Sequence, residues 1–140
     1  MCRKLVVDIH SFSYIKGKIP FDDSGNEGGF VFDCRGILNP GRIEEYKSMT
    51  GKDTEIQGFL ETKTQMPNFM KAVFSLLSIT IDNYLERNFE NLQVNFGCTG
   101  GQHRSVYSAI KTAEFVKEKY PETIVKISHD NQLQLNSADI

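Results

Sequence analysis

Hydrophobic and polar positions along the chain predict four strands. Residues 4–9 are rich in β-branched and apolar side chains, and residues 30–34, 92–96 and 124–127 alternate or form short apolar runs. Segments of this length and composition are typical of strands. Residues 16–29 and 36–41 carry glycine, proline, aspartate and asparagine, which favour turns. The first two strands are therefore bounded by loops.

Two further segments follow the period of a helix. The longer one covers residues 66–87, where Pro67 suits the first turn. Its apolar side chains fall on one stripe, formed by Met70, Val73, Phe74, Leu77, Ile81, Tyr84 and Leu85. The second helix begins near His103 and ends before Pro121. Its apolar face consists of Val106, Ala109, Ile110, Ala113 and Val116.

Strands that alternate with helices predict an α/β domain with a small, mainly parallel sheet flanked by helices. At 140 residues the chain is large enough for one hydrophobic core. We expect a single domain over residues 1–130 and a polar, flexible tail over residues 131–140. In parallel α/β sheets, ligands bind at the carboxyl ends of the strands. The loop that follows residue 96 lies at such an end.

Composition narrows the classes of protein to which the chain can belong. The net charge is −2 and the isoelectric point about 5.9, whereas nucleic-acid-binding domains usually have a basic excess. The three cysteines, Cys2, Cys34 and Cys98, lack the spacing of a zinc site and are too few for a disulfide framework. No secretion signal or membrane-spanning stretch is visible. We expect a cytoplasmic protein with reduced thiols, no metal, no cofactor and no membrane association.

Residues 97–105 contain the most informative pattern. Three glycines allow a tight turn between a strand and a helix, and a close approach of the backbone to a ligand. The helix that follows presents free N–H groups and the positive end of its dipole, which favour an anion. Arg104 adds a planar donor fork that matches phosphate oxygens. We therefore predict a glycine-rich phosphate-binding loop. Its candidate ligand-binding residues are Cys98, Thr99, Gly100, Gly101, Gln102, His103, Arg104 and Ser105.

The spacing C-x5-R-S from Cys98 also resembles the phosphate loop of cysteine-dependent phosphatases. In those enzymes the thiolate attacks phosphorus and the arginine grips the equatorial oxygens. A thiol beside a helix N-terminus ionises more easily, as attack requires. Gly97 stands where most such enzymes have histidine, and no short loop presents an aspartate as general acid. A phosphatase that uses Cys98 and Arg104 is thus the alternative, and a domain that only binds its ligand is the first interpretation.

A longer resemblance covers residues 11–129. Residues 97–106, with the sequence GCTGGQHRSV, resemble the hallmark of the C-terminal domain of the RapZ family of RNase adapter proteins. Residues 11–20 are similar to that family's S-F-G-F-K-x-G-I-P, and residues 31–40 to its V-F-D-V-R-F-L-P-N-P. Residues 50–53 match its T-G-x-D. The chain has no G-x-x-x-x-G-K-[ST], so the Walker A loop of the family's N-terminal domain is absent from this sequence.

The resemblance implies a sensor or adaptor domain that is not an enzyme. Domains of this family bind RNA and recognise an amino-sugar phosphate, glucosamine-6-phosphate, through the glycine loop. By resemblance, the phosphate would be held by Thr99, Gly100, Gly101, His103, Arg104 and Ser105. Asp33, Arg35 and Asn39 would line the same pocket. From their spacing alone, Asp33 and Arg35 could equally form an ion pair with each other.

The chain departs from the family pattern at four places. Ser13 replaces a glycine, Cys34-Arg35-Gly36 replaces V-R-F, Lys18 is inserted before Ile19, and Asp130 stands where the family has arginine. The loss of that cation, together with the acidic net charge, favours a phosphorylated small molecule as the ligand. RNA is the alternative partner. The sequence is compatible with a homo-oligomer but does not determine the number of chains.

Overall fold

The four predicted strands pair into one sheet. The computed structural model describes the backbone of residues 4–139 and the side chains of residues 4–136, so Cys2 lies outside the described residues. The strands are β1 (Val6–Ser13), β2 (Gly29–Asp33), β3 (Asn91–Cys98) and β4 (Ile124–His129), in the order β2-β3-β1-β4. Every neighbouring pair is parallel. The predicted α/β class with a parallel sheet is confirmed.

Three helices accompany the sheet: α1 (Thr54–Lys63), α2 (Met66–Glu86) and α3 (Arg104–Lys119). The apolar periodicity predicts α2 and α3 but not α1. Only Ile56 and Leu60 of α1 are buried, and Gly58 in its interior is a weak helix former. The sequence of α1 therefore carries little of the amphipathic signal that identifies the other two helices.

One face of the sheet forms the hydrophobic core with the helices. The parallel register sets Ile9 of β1 beside Val94 of β3, and both side chains are fully buried. They belong to a single buried cluster with Leu77 of α2 and Val116 of α3. The cluster fixes α3 against the sheet, and thus fixes the position of its first turn at the carboxyl end of β3.

Strand β1 extends further than its apolar pattern predicts. The pattern ends at residue 9, but pairing continues to Ser13, which lies opposite Cys98 at the end of β3. The polar Ser11 is fully buried, and its hydroxyl group bonds to Nδ1 of His129 at 2.7 Å. This pair lets a polar residue continue a buried strand. The extension brings the end of β1 beside the glycine-rich loop.

The residues after β4 fold back onto the domain. Asp130 donates its backbone N–H to the carbonyl oxygen of Ser11 at 2.8 Å, and Asn136 accepts the backbone N–H of His129 at 2.7 Å. Residues Leu133–Asp139 form 3-10 turns. The flexibility expected for residues 131–140 stays a prediction, and Ile140 lies outside the described residues. Within residues 4–139, no helix is long and apolar enough to cross a membrane. Among the side chains of residues 4–136, no group of three acidic, cysteine or histidine residues could hold a metal ion.

The other face of the sheet is polar at its centre. The β1 residues Asp8 and His10 lie on this face, and His10 bridges two carboxylates. Its Nε2 lies 3.2 Å from Asp8 and its Nδ1 lies 2.9 Å from Asp130. Burial by itself lowers the pKa of His10, but the hydrogen bonds to Asp130 and Asp8 outweigh it and raise the pKa to about 9. Asp130, which replaces the arginine of the family pattern, therefore has a cationic partner inside this domain.

We expect the protein to lose stability as the pH rises from 6.5 through 9. The folded-state pKa of His10 lies above its unfolded value, so its contribution is fully present below pH 6.5 and disappears as the pH passes about 9. A pKa rise of this size corresponds to a change of roughly 3 kcal/mol in the free energy of unfolding. Urea denaturation of the wild type and of His10→Gln, below pH 6.5 and above pH 9, measures it. The same pH dependence in both proteins would contradict the prediction.

Candidate functional site

The glycine-rich loop connects the carboxyl end of β3 to the N-terminus of α3. β3 ends at Cys98 and α3 begins at Arg104, so five residues make the connection. Gly101 has a φ of +65°, and a Cβ there would lie 2.9 Å from the backbone nitrogen of Ser13. At Gly97, a Cβ would lie 2.5 Å from the rings of Phe12 and Tyr14. Both positions therefore require glycine for packing or conformation.

Gly100 differs from the other two glycines. A Cβ at this position would meet nothing within 4 Å. Packing within the protein therefore does not require glycine at this position. Its backbone faces open space, where a ligand can approach closely.

The end of β1 anchors the loop. Ser13 donates its hydroxyl hydrogen to the carbonyl oxygen of Thr99 at 2.6 Å, and Tyr14 donates its backbone N–H to that of Cys98 at 3.0 Å. The Ser13 hydroxyl oxygen also accepts the backbone N–H of Lys16 at 2.8 Å. Serine at this position therefore adds side-chain hydrogen bonds that the family's glycine could not make.

The T-G-x-D segment holds the first turn of α3 from the opposite side. Gly51 packs so closely that a Cβ would collide with the backbone of His103 and Tyr107. Its N–H donates to the carbonyl oxygen of Gln102 at 2.9 Å. Asp53 closes the turn by accepting the backbone N–H of Thr50 at 2.7 Å. The motif thus forms a turn that packs against the start of α3 and holds the end of the loop in place.

The side chain of Gln102 reinforces the same contact. Its amide nitrogen donates to the carbonyl oxygens of Lys47 and Met49, both at 2.7 Å. Both side-chain N–H groups of Gln102 bond to the protein. Only its amide oxygen could therefore take the ligand-binding role predicted for this residue.

His103 is almost completely buried, with 7% of its surface exposed. Its Nε2 lies 2.8 Å from the carbonyl oxygen of Tyr46 and must carry the hydrogen, because a carbonyl oxygen only accepts. Burial lowers the pKa of His103, against the opposing effect of that hydrogen bond. The ring is therefore neutral near pH 7, with Nδ1 as an acceptor. It is not a permanent cation for phosphate.

Arg104 is 4% exposed and is not a solvated surface residue. Its Nη1 donates to the carbonyl oxygens of Arg35 and Ile37, at 3.1 and 2.7 Å. These bonds tie the turn after β2 to the start of α3. The Nε of Arg104 is buried and has no hydrogen-bond partner among the described residues. An unpaired buried donor costs free energy that a ligand oxygen would recover.

Cys98 and Ser105 lie beneath the loop. Cys98 is 2% exposed and Ser105 is fully buried, and the Cys98 thiol donates to the Ser105 hydroxyl oxygen at 3.1 Å. Ser105 is thus turned toward the sulfur. Cys34 is also buried, and burial raises its pKa to about 12, so it is an unreactive thiol near neutral pH.

Asp33 and Arg35 pair with each other, which was one of the two sequence-based expectations. Arg35 donates from Nη2 and Nε to the carboxylate of Asp33 at 2.7 to 3.1 Å. The guanidinium carbon of Arg35 lies 3.9 Å from the centre of the Tyr14 ring. Hydrogen bonds from Arg35 lower the pKa of Asp33. These two side chains lie outside the cavity that the loop lines.

A cavity of about 300 Å³ opens beside the loop at the N-terminus of α3. Six of the eight predicted loop residues line it: Cys98, Thr99, Gly100, Gln102, His103 and Arg104. Asn39, also predicted, lines it too. Gly101 and Ser105 do not. Gly41 and Lys47 line it as well. The sequence holds many lysines, and no motif distinguishes Lys47 from the others.

The cavity is electropositive. Its lining includes Arg104 and Lys47, and none of the described residues that line it carries a carboxylate. Lys47 pairs with Glu44 at 2.8 Å, but both side chains are mostly exposed, so this bond is weak and Lys47 can turn to a ligand. Two positively charged side chains, Arg104 and Lys47, thus line a cavity beside the N-terminus of α3.

The structure thus defines a class of protein: a parallel α/β domain whose glycine-rich loop leads into a helix N-terminus beside an electropositive cavity. Comparison with known proteins identifies the family. The model of the RapZ C-terminal domain matches residues 5–132. The chain therefore belongs to the RapZ C-terminal domain family.

Relatives of the chain are named nucleotide-binding proteins. The one from Endomicrobium trichonymphae is 34% identical over 130 residues, which are 93% of this chain and 42% of the relative. That from Fervidobacterium nodosum is 35% identical over 123 residues, 87% of this chain and 42% of the relative. The one from Thermotoga petrophila is 34% identical over 113 residues, which are 81% of this chain and 38% of the relative. The chain spans about two fifths of the length of these curated relatives.

Proposed function

We propose that this domain is a cytoplasmic sensor or adaptor module that binds a phosphorylated metabolite on the loop of residues 97–105. The observation that carries the proposal is the buried Arg104, which lines the electropositive cavity and whose Nε has no hydrogen-bond partner among the described residues. Buried polar groups normally have partners, and an exception calls for a ligand or an ordered water. The relatives' name, nucleotide-binding protein, agrees with a phosphorylated ligand.

The groups around the cavity suggest how such a ligand is held. Backbone N–H groups at Gly100 and the start of α3 face the phosphate, and Arg104 and Lys47 neutralise its charge. The neutral His103 supplies Nδ1 as an acceptor for a hydroxyl or ammonium group of the sugar. This combination of phosphate donors and a neutral acceptor is compatible with an amino-sugar phosphate, glucosamine-6-phosphate, which the family resemblance implies.

Calorimetric titration with glucosamine-6-phosphate, glucosamine and inorganic phosphate tests the proposal. We expect binding of the sugar phosphate to be strongest and binding of glucosamine to be undetectable, because the phosphate interacts with most of the charged groups. A ligand at one hundred times its dissociation constant would stabilise the fold by about 2.7 kcal/mol. Thermal melts in phosphate, against chloride of equal ionic strength, give an independent measurement.

Lys47→Ala and Lys63→Ala are matched variants for this titration. Both lysines are exposed, but only Lys47 lines the cavity. We expect weaker phosphate binding in Lys47→Ala and unchanged binding in Lys63→Ala. Equal losses would indicate nonspecific attraction. No binding of either phosphate compound to the wild type would refute the proposed function.

A cysteine-dependent phosphatase is the second candidate, supported by the contact between the Cys98 thiol and the Ser105 hydroxyl. The absence of a carboxylate among the described lining residues argues against it, because departure of the leaving group needs a general acid. Hydrolysis of an aryl phosphate by the wild type, lost in Cys98→Ser, would reverse this ranking. Salt-sensitive binding of structured RNA would instead favour an RNA-binding module.

A further inference from the structure

A second cavity lies on the polar face of the sheet. It has a volume of about 230 Å³ and lies against β2 and β3, covered in part by the loop between β1 and β2. Its lining includes Phe21, Asp22, Glu27, Val31, Gln93 and Asn95. It shares no lining residue with the cavity beside the glycine-rich loop.

Two buried amide side chains form a hydrogen-bonded chain at the base of this cavity. Gln93 donates its amide N–H to the carbonyl oxygen of Phe21 at 3.2 Å. Asn95 donates one N–H to the oxygen of Gln93 at 3.0 Å and the other to the carbonyl oxygen of Phe30 at 3.1 Å. Because carbonyl oxygens only accept, the orientation of both amides is fixed. Both hydrogens of Asn95 are therefore used.

The oxygen of Asn95 has no partner among the described residues. Asn95 is 2% exposed, so the oxygen is shielded from bulk water. In the sheet, Asn95 lies between His10 of β1 and Val31 of β2. Both ring nitrogens of His10 bond to carboxylates, and the side chain of Val31 cannot donate. Burial of an acceptor without a donor costs free energy, so this oxygen is a place for an incoming N–H.

The remaining groups around the cavity select a cation. Asp22 is 7% exposed and has no basic partner among the described residues. Burial alone would raise the pKa of Asp22, but hydrogen bonds from Ser24 and Gly28 lower it below the ordinary value. The carboxylate is therefore ionised at neutral pH. Glu27 adds a second negative charge at the rim. A buried carboxylate without a counterion favours a positively charged ligand.

An aromatic side chain completes the site. Phe21 lines the cavity although 75% of its surface is exposed. The exposed ring leaves a face that a ligand in the cavity can cover. A phenylalanine ring attracts a cation placed over its face and also packs against an apolar body. Val31, 45% exposed, offers further apolar surface on the same side.

From these contacts we infer that the polar face of the sheet carries a binding site for a small organic ammonium ion. The ammonium N–H groups bond to the oxygen of Asn95, and its charge is balanced by Asp22 and Glu27. The hydrocarbon part of the ion packs on Phe21 and Val31. The cavity volume limits the ligand to roughly the size of a biogenic monoamine.

Titration of the 15N-labelled full chain with 2-phenylethylammonium tests this inference. We expect saturable shifts of the side-chain amide signal of Asn95 and the backbone signals of Gly28 and Gly29. 2-Phenylethanol keeps the ring and one donor but has no charge, and should bind at least about fivefold more weakly. Equal affinity for the alcohol, or shifts confined to other parts of the domain, would overturn the ammonium assignment, as would the absence of saturable shifts.

Substitutions of exposed residues test the site without disturbing the core, so a loss of binding cannot be ascribed to unfolding. Phe21→Ala and Glu27→Gln should each weaken binding about two- to fivefold, the range for a cation–aromatic or exposed charge contact. Ile15→Ala is the matched control, because Ile15 is 71% exposed on the same loop but does not line the cavity. The inference fails if Ile15→Ala weakens binding as much as the other two variants, or if all three bind like the wild type.

Discussion

Replacement of Gly51 by alanine is expected to destabilise the protein by about 3 kcal/mol or more, the upper range for overpacking. The new Cβ would collide with the backbone oxygen of His103 and the backbone nitrogen of Tyr107. Both atoms belong to the first turn of α3, which cannot move aside as the end of a flexible side chain can. The bond from the Gly51 N–H to the carbonyl oxygen of Gln102 would be displaced as well. Urea denaturation measures the loss.

Gly58→Ala is the matched control for this substitution. Gly58 lies inside α1, seven residues along the chain, and a Cβ there would meet nothing within 4 Å. Alanine should therefore stabilise the helix by about 0.5–1 kcal/mol, because it restricts the unfolded chain. Opposite signs for the two variants are expected. If Gly51→Ala were as stable as the wild type, the result would contradict the close packing of the T-G-x-D turn on α3.

The fold was predicted from the sequence where local pattern and tertiary structure agree. α2 carries a long apolar stripe, and all four strands are apolar or alternating, so their existence followed from periodicity. α1 was missed because its burial involves mainly Ile56 and Leu60, and Gly58 weakens its local preference. The end of β1 was missed because the hydroxyl of the buried Ser11 has its partner in His129, which lies 118 residues away in the sequence.

The candidate site was predicted in position but only partly in detail. The consecutive residues of the loop specify a strand-to-helix turn, so their position followed from the sequence. The directions of the side chains depend on distant partners, which a local pattern does not contain. Gln102 points to the carbonyl oxygens of Lys47 and Met49, and Ser105 points to Cys98. Lys47 joins the cavity for the same reason: the chain returns to the loop after the turn that follows β2.

Arg104→Lys is expected to lower both the stability of the ligand-free protein and its affinity for phosphate. In the structure, Nη1 of Arg104 bonds to the carbonyl oxygens of Arg35 and Ile37, and no described bond joins Arg104 to Asp33. A lysine cannot reach both carbonyl oxygens and also present a donor at the position of Nε. We expect a loss of about 2 kcal/mol in the free energy of unfolding, for one buried acceptor left unpaired.

The affinity should fall roughly tenfold or more, since a charge-assisted hydrogen bond contributes about 1.5–3 kcal/mol. Arg35→Lys is the control, because Arg35 is exposed, pairs with Asp33 and does not line the cavity. It should change the stability by less than about 1 kcal/mol and leave the affinity unchanged. Denaturation of the ligand-free variants, with calorimetric titration of phosphate and glucosamine-6-phosphate, separates the two roles of Arg104. A stability loss with unchanged affinity would mean that Arg104 only connects the turn after β2 to α3 and does not bind the ligand. An affinity loss with unchanged stability would mean that its bonds to the two carbonyl oxygens contribute nothing to the fold.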